Sequence, residues 1–186
     1  MEKVVVINDF ANTSGAFRNA KVSIEPSQLL KYVVADRFLV EAHSFVPIDP
    51  RNPHAMDAEI EGLWKSGFLV HSKLGSFAGV SYKCDCDVEI TMALMRIAEQ
   101  VRPDIIVLLS GDKDFIPVIL ELRHRGIRVE VGAFPGVSAA REVMLKASGF
   151  IDLHECVNGV DILDEIDNDS LYIEGEESDV QEDTEN

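Results

Sequence analysis

Long apolar runs are missing from this sequence. No stretch approaches the roughly 18 uninterrupted apolar residues that a membrane-spanning helix requires, and Met1-Glu2-Lys3 leads straight into a short strand-like run, so neither a span nor a leader is expected. Cysteine is scarce. Cys84, Cys86 and Cys156 are three in number and cannot all pair within one chain, which predicts a reducing, cytoplasmic setting. Cys84 and Cys86 form a C-x-C without the second Cys/His pair that a four-ligand zinc site needs, so buried thiols are the expectation. No internal repeat is visible, and nothing resembles a collagen or a coiled coil.

Positive charge is absent from the end of the chain. From Glu155 onward there are 13 acidic residues and no Lys or Arg, so of the net −16 the tail carries −13 and residues 1–154 only −3. A surface at −16 would repel phosphate, whereas a near-neutral body can present a basic rim around a cluster of acids. The predicted organisation is one domain over residues 1–154 and an acidic, disordered tail over 155–186, with a short helix near Val160 to Ile166 as a candidate. The length of 186 residues suffices for one well-buried core. A hydrophobic content of 46% excludes a chain too polar to fold.

What is present is alternation. Lys3 to Ile7 is an apolar β-branched run ending in Asn8-Asp9, which predicts a central buried strand delivering polar residues at its carboxyl end. Asn12-Thr13-Ser14-Gly15 is loop chemistry, and Pro26-Ser27 opens a helix through Leu29, Leu30, Val33 and Val34. Phe38 to Val46 is predicted as a strand, Met56 to Ser66 as a helix stopped by Gly67, and Phe68 to His71 as a short strand. A turn around Gly75 to Gly79 precedes a buried helix from Asp87 to Gln100. Ile105 to Leu109 is the clearest strand and ends in Ser110-Gly111-Asp112-Lys113-Asp114. A helix from Phe115 to His124, a strand from Arg128 to Gly132, a helix from Ser138 to Ala147 and a strand from Phe150 to Asp152 complete the pattern. Such alternation predicts a doubly wound α/β fold, a mainly parallel sheet of five to six strands with helices on both faces.

In an open parallel sheet, ligands bind outside the carboxyl ends of the strands, at the switch point. Asp9 and Asp112 end two candidate neighbouring strands, which would set them one strand spacing apart, roughly 5 Å. Asp87 opens a helix whose first turn points at the same edge, and Asp114 follows two residues after Asp112. Taken singly, Asp112, Asp114 and Asp87 are also ordinary turn, cap or helix-start acids. Asp9 follows a strand with no helix start in view. Together, the acids would repel one another unless a hard divalent cation, Mg²⁺ or Mn²⁺, neutralised them, and such a cation serves phosphodiester hydrolysis. A covalent D-x-D phosphatase loop is absent, since Asp9 is followed by Phe10-Ala11.

Three segments make the chain recognisable over residues 3 to about 154. Val4-Val-Val-Ile-Asn-Asp-Phe-Ala-Asn12, Lys83-Cys-Asp-Cys-Asp-Val88 and Ser110-Gly-Asp-Lys-Asp-Phe-Ile-Pro117 resemble the D-x-x-N, K-x-x-x-D-V and S-G-D-x-D-F-x-P motifs of the NYN domain family, in its LabA-like branch, within the PIN-like, Rossmann-like ribonuclease fold. The resemblance implies a metal-dependent endoribonuclease acting on RNA. Asp9, Asp87 and Asp112 would be metal-binding acids, Asp114 a fourth catalytic acid, and Asn12, Ser110, Lys83 and Lys113 supporting or substrate-contacting residues. Many relatives carry a further Asp where this chain has Ala93, with Glu89 nearby. That departure keeps a second expectation open, a non-enzymatic RNA- or protein-binding module. Arg18, Lys21, Lys73, Lys83, Lys113 and Arg141 are candidate RNA contacts, and Phe17 and Phe77 candidate stacking rings. A homo-oligomer, or a protein partner engaged through the acidic tail, is the remaining expected association.

Overall fold

A run of β-branched residues stays extended only where both of its faces find apolar cover. Val4, Val5, Val6 and Ile7 have no solvent exposure at all, and the strand they form, β1 (Lys3–Asp9), lies inside the sheet. The computed structural model describes residues 1–78 and 81–158, leaving out the side chains of 77, 78 and 81–83.

After β1 the chain forms α1 (Phe10–Ala20), α2 (Pro26–Val34), β2 (Phe38–Ile48), α3 (Asp57–Lys65) and β3 (Leu69–Leu74). A hairpin of β4 (Ser76–Ala78) and β5 (Ser81–Lys83) leads into α4 (Asp87–Gln100) and β6 (Ile105–Leu109). Then come α5 (Ile116–His124), β7 (Arg128–Ala133), α6 (Arg141–Lys146) and β8 (Gly149–Asp152). The main sheet has the order β3-β2-β1-β6-β7-β8 with every pairing parallel. Connections leave β1 and β6 in opposite directions along the sheet, so a cleft opens at their carboxyl ends.

Successive side chains of β1 serve opposite faces. Val4 and Val6 pack with Ala16 of α1, Leu30 and Val33 of α2 and Leu63 of α3. Val5 and Ile7 pack with Ile90 and Leu94 of α4, Ile119 of α5 and Val143 of α6. The chain is therefore a doubly wound α/β domain of six strands with helices on both faces.

Three local expectations change. Residues 12–15, expected as a loop, lie inside α1. Thr13 turns its hydroxyl inward to Asn8 Oδ1 (2.8 Å) and to the Asp9 carbonyl, and Ala16 is buried, so tertiary packing overrides loop-like composition. Where only a turn was expected near residue 75, the β4–β5 hairpin forms. Residues 153–158 are helical, with Leu153 and Cys156 fully buried. The candidate helix near Val160 to Ile166 lies outside the described residues, as does the rest of the tail.

Candidate metal centre

Asp9 ends β1 in extended geometry and caps α1, its Oδ1 accepting the Asn12 amide at 3.3 Å. A helix start does stand behind Asp9, contrary to the expectation from sequence. Its other oxygen accepts from Ser110 Oγ at 3.0 Å, across the β1–β6 junction. Ser110 Oγ in turn accepts the Asp112 amide (3.3 Å), while Asn12 Oδ1 accepts the Gly111 amide (3.1 Å). The turn after β6 is thus laced to the start of α1 from both sides. Beneath it, buried Asn8 donates to Ser44 Oγ at 3.0 Å and tethers β1 to β2. The roles of Asn8, Thr13 and Gly111 were not read from sequence, although the Asn8-Asp9 doublet ending an apolar strand was the available signal.

Asp112 Oδ1 accepts the Asp114 amide at 3.0 Å and caps a 3-10 turn (Lys113–Phe115) that runs into α5. Asp87 is the first residue of α4. Carboxylate oxygens of Asp87, Asp112 and Asp114 all lie within 4.8 Å of one another. Asp9 lies outside that trio, buried to 6% exposure behind it. Among the described residues no Lys or Arg pairs with the trio, so three negative charges face one another at the first turns of α4 and of the segment entering α5. Helix amino termini carry partial positive charge, which tempers but does not cancel the repulsion.

The electrostatics record this crowding. Burial pushes the Asp87 carboxyl above its ordinary range, and the charges of Asp9, Asp112, Asp85 and Asp114 push it further. Burial also raises Asp9, opposed by the hydrogen bonds from Ser110 and Asn12 and reinforced by Asp112. An all-oxygen set of this kind fits a hard divalent cation that retains several waters. A raised carboxylate binds its proton more tightly in the folded chain, so its contribution to stability is full below the unfolded value near 3.8 and is lost as pH rises through the raised one. Asp87→Asn is therefore expected to raise the melting temperature of chelator-treated protein at pH 7 and to have much less effect at pH 4. Excess Mn²⁺ should stabilise the wild type by about 2.7 kcal/mol at a hundred times its Kd and should not do so for the variant. Calorimetry at the two pH values checks this; equal melting temperatures throughout would contradict it.

The supporting residues divide. Lys113 is exposed beside the acids, and Arg18, Lys21 and Arg141 are exposed elsewhere. Lys73 is engaged by Glu89 (2.8 Å) and by the Asp85 carbonyl (2.8 Å), so Glu89 neutralises a lysine and does not join the acidic trio. Phe17 packs edge-on against Phe134 with centroids 5.0 Å apart, which makes it a packing residue. The side chains of Lys83 and Phe77 lie outside the described ones. Cys86 and Cys156 are buried thiols, each pushed up to about 12, mainly by burial.

The family model of the NYN domain matches residues 3–156. The chain belongs to the NYN domain family. This NYN domain also resembles a crystal structure of a protein of unknown function, VPA0982 from Vibrio parahaemolyticus, with a TM-score of 0.71 at 23% identity over 84% of this chain and 95% of that one. That likeness establishes the fold. Arabidopsis thaliana UGT89C1 (TM-score 0.30, 15% identity, 72% of this chain and 34% of that one) overlaps too poorly to bear on function. The same holds for a probable glycerol dehydrogenase from Sinorhizobium meliloti (TM-score 0.29, 12% identity, 84% and 40%). No curated protein matches the chain. Membership brings a nuclease-type fold, and the Asp trio occupies the edge where such a fold binds ligands. Among the described residues, no helix is long and apolar enough to cross a membrane.

Proposed function

We propose that this NYN domain, of the LabA-like branch, is a metal-dependent endoribonuclease that hydrolyses RNA phosphodiesters with Mg²⁺ or Mn²⁺. The observation that carries the reading is the trio of Asp87, Asp112 and Asp114, within 4.8 Å of one another and without a cationic side chain paired to it among the described residues. Asp87 and Asp112 would hold the cation, and Asp9 would join them through lone pairs left free by its two hydrogen bonds. A bound divalent cation supplies charge stabilisation at a phosphate oxygen and acidifies water. Exposed Asp114 accepts the proton of the attacking water, since it faces solvent at the lip of the group. Asn12 and Ser110 hold the Gly111–Asp112 backbone and the Asp9 carboxylate in place. Lys113, with Lys83, Arg18 and Arg141, draws the RNA backbone toward the edge. Three free thiols suit a cytoplasmic setting.

The test is incubation of the chain with single-stranded and structured RNAs in Mn²⁺, in Mg²⁺ and in chelator. Internal cuts that require the cation are expected. Binding of RNA with no turnover in either cation would instead support a regulatory module that binds RNA or protein, the reading favoured by Ala93, which packs half-buried against the core on α4.

The acidic tail supports a further expectation. Residues 159–186 hold 12 acidic residues and no Lys or Arg. A tail of that charge competes with RNA for exposed cations or recruits a basic partner, and a homo-oligomer is a separate expectation. Because Cys156 is buried, the informative truncation ends at residue 158. It should tighten RNA binding, most visibly at low salt, when measured by filter binding across a salt series. Unchanged affinity at every salt concentration would leave the tail a solubilising role only.

A further inference from the structure

The row of side chains that contains Asp9 does not end there. In the register of the parallel strands, Asp9 stands beside Phe45 of β2, and Phe45 beside His71 of β3. Partners in one row of a sheet project to the same face. A single row on the α4 side therefore runs from His71 through Phe45 and Asp9 to Ser110. Two strand spacings, roughly 10 Å, separate His71 from Asp9. Along its outer part a cavity of about 370 Å³ opens between β3 and α4. Its walls include Phe45, His71, Lys73, Met92, Ala93 and Arg96, and Cys86, which directly precedes Asp87, closes it toward the acids.

The chemistry of these walls is that of a stacking site with a polar rim. The His71 ring lies nearly parallel to Phe45 (16°, centroids 4.7 Å apart), and His71 is exposed. Its ring is held by a chain of bonds. A Glu41 carboxylate only accepts, so His43 Nε2, 3.0 Å from it, carries the proton. His43 Nδ1 and His71 Nε2 lie 3.0 Å apart and share one hydrogen, so His71 Nδ1 is the ring nitrogen left for a ligand. Arg96 is exposed and has no ion pair or hydrogen bond among the described residues.

We infer that this cavity is a base subsite, receiving the base of a nucleotide beside the scissile phosphate, stacked on His71 with Arg96 on its backbone. The inference rests on the endoribonuclease reading. An exposed flat ring in register with the buried acid, flanked by an unengaged guanidinium, is the combination that holds single-stranded nucleic acid. The free ring nitrogen of His71 can hydrogen-bond the edge of that base or of its neighbour.

The test compares wild type, His71→Ala, His71→Phe and Arg96→Ala on one short RNA and on a series in which a single abasic nucleotide is walked past the cut site, with Mn²⁺ affinity measured alongside. For wild type, one abasic position should lower kcat/KM about tenfold or more. His71→Ala should show the same loss on intact RNA, no further penalty from that abasic position, and unchanged Mn²⁺ affinity. His71→Phe should restore stacking but discriminate less between bases, and Arg96→Ala should raise KM with little change in kcat. An abasic penalty of equal size in wild type and His71→Ala would overturn the subsite while leaving the nuclease intact. Failure of the wild type to cut any RNA with Mn²⁺ bound would overturn both.

Discussion

Asp112→Asn is expected to remove cation-dependent cleavage and to weaken Mn²⁺ binding by at least about 100-fold, the upper range for losing a group that merely supports a ligand. The substitution is close to isosteric, and the amide oxygen can still accept the Asp114 amide, now 3.0 Å from Asp112 Oδ1. The 3-10 turn and the fold should therefore survive. What goes is one negative charge from the trio and one anionic oxygen donor. Mn²⁺ titration and cleavage of a single RNA under turnover conditions measure the two losses. Retained cleavage in both Asp112→Asn and Asp87→Asn would mean that the activity comes from a contaminating nuclease.

Gly111→Ala is expected to act on the same turn by a different route and to destabilise the protein by about 3 kcal/mol, the upper end for overpacking. A Cβ there would lie 2.0 Å from the Ser138 carbonyl oxygen, 2.6 Å from its carbon and 2.8 Å from Ala139 Cα. All three are backbone atoms and cannot rotate aside. The Ala140 amide donates to the Gly111 carbonyl at 3.1 Å, which fixes the approaching loop in place. Either that loop or the Ser110–Asp112 turn must move, and moving the turn breaks the bonds that hold Asp9 and Asp112. Urea denaturation and Mn²⁺ titration should both register the change. Gly132→Ala is the control, since its Cβ at 2.6 Å meets only the far end of Leu109, which can swing away. Equal behaviour of the two variants would show that the contact at Gly111 is easily relieved.

The strands were legible because their residues had one reading. Val4 to Ile7 and Ile105 to Leu109 are apolar throughout, and only a strand covered on both faces buries every residue of such short runs. The switch point followed from where those runs ended in Asp. Residues 12–15 were illegible for a physical reason. Asn, Thr, Ser and Gly weaken an isolated helix, and their incorporation into α1 depends on the Asp9 cap and on the pull of Asn8 upon Thr13, contacts that exist only in the folded sheet. The same blind spot concealed the helix behind Asp9. Which acids would come within reach of one another was likewise beyond the sequence, because the separation of Asp87 from Asp112 depends on how α4 sits on β1. The row from Asp9 to His71 needed the strand register, which no local pattern encodes.

The central position of β1 has a consequence for when the acidic centre forms. β1 has an early neighbour in β2, but its other edge waits for β6, and the bond from Ser110 to Asp9 joins residues 101 positions apart. At roughly 5–20 residues per second, a ribosome takes some 5–20 s to add that stretch. Parallel pairing over such a separation closes late and slowly once the residues are available. A nascent chain therefore carries Asp9 before Asp87, Ser110 and Asp112 have been made, and the acids meet only after β6 is released and docked. Topology thus keeps the acidic centre unassembled until the chain through Asp114 has been made.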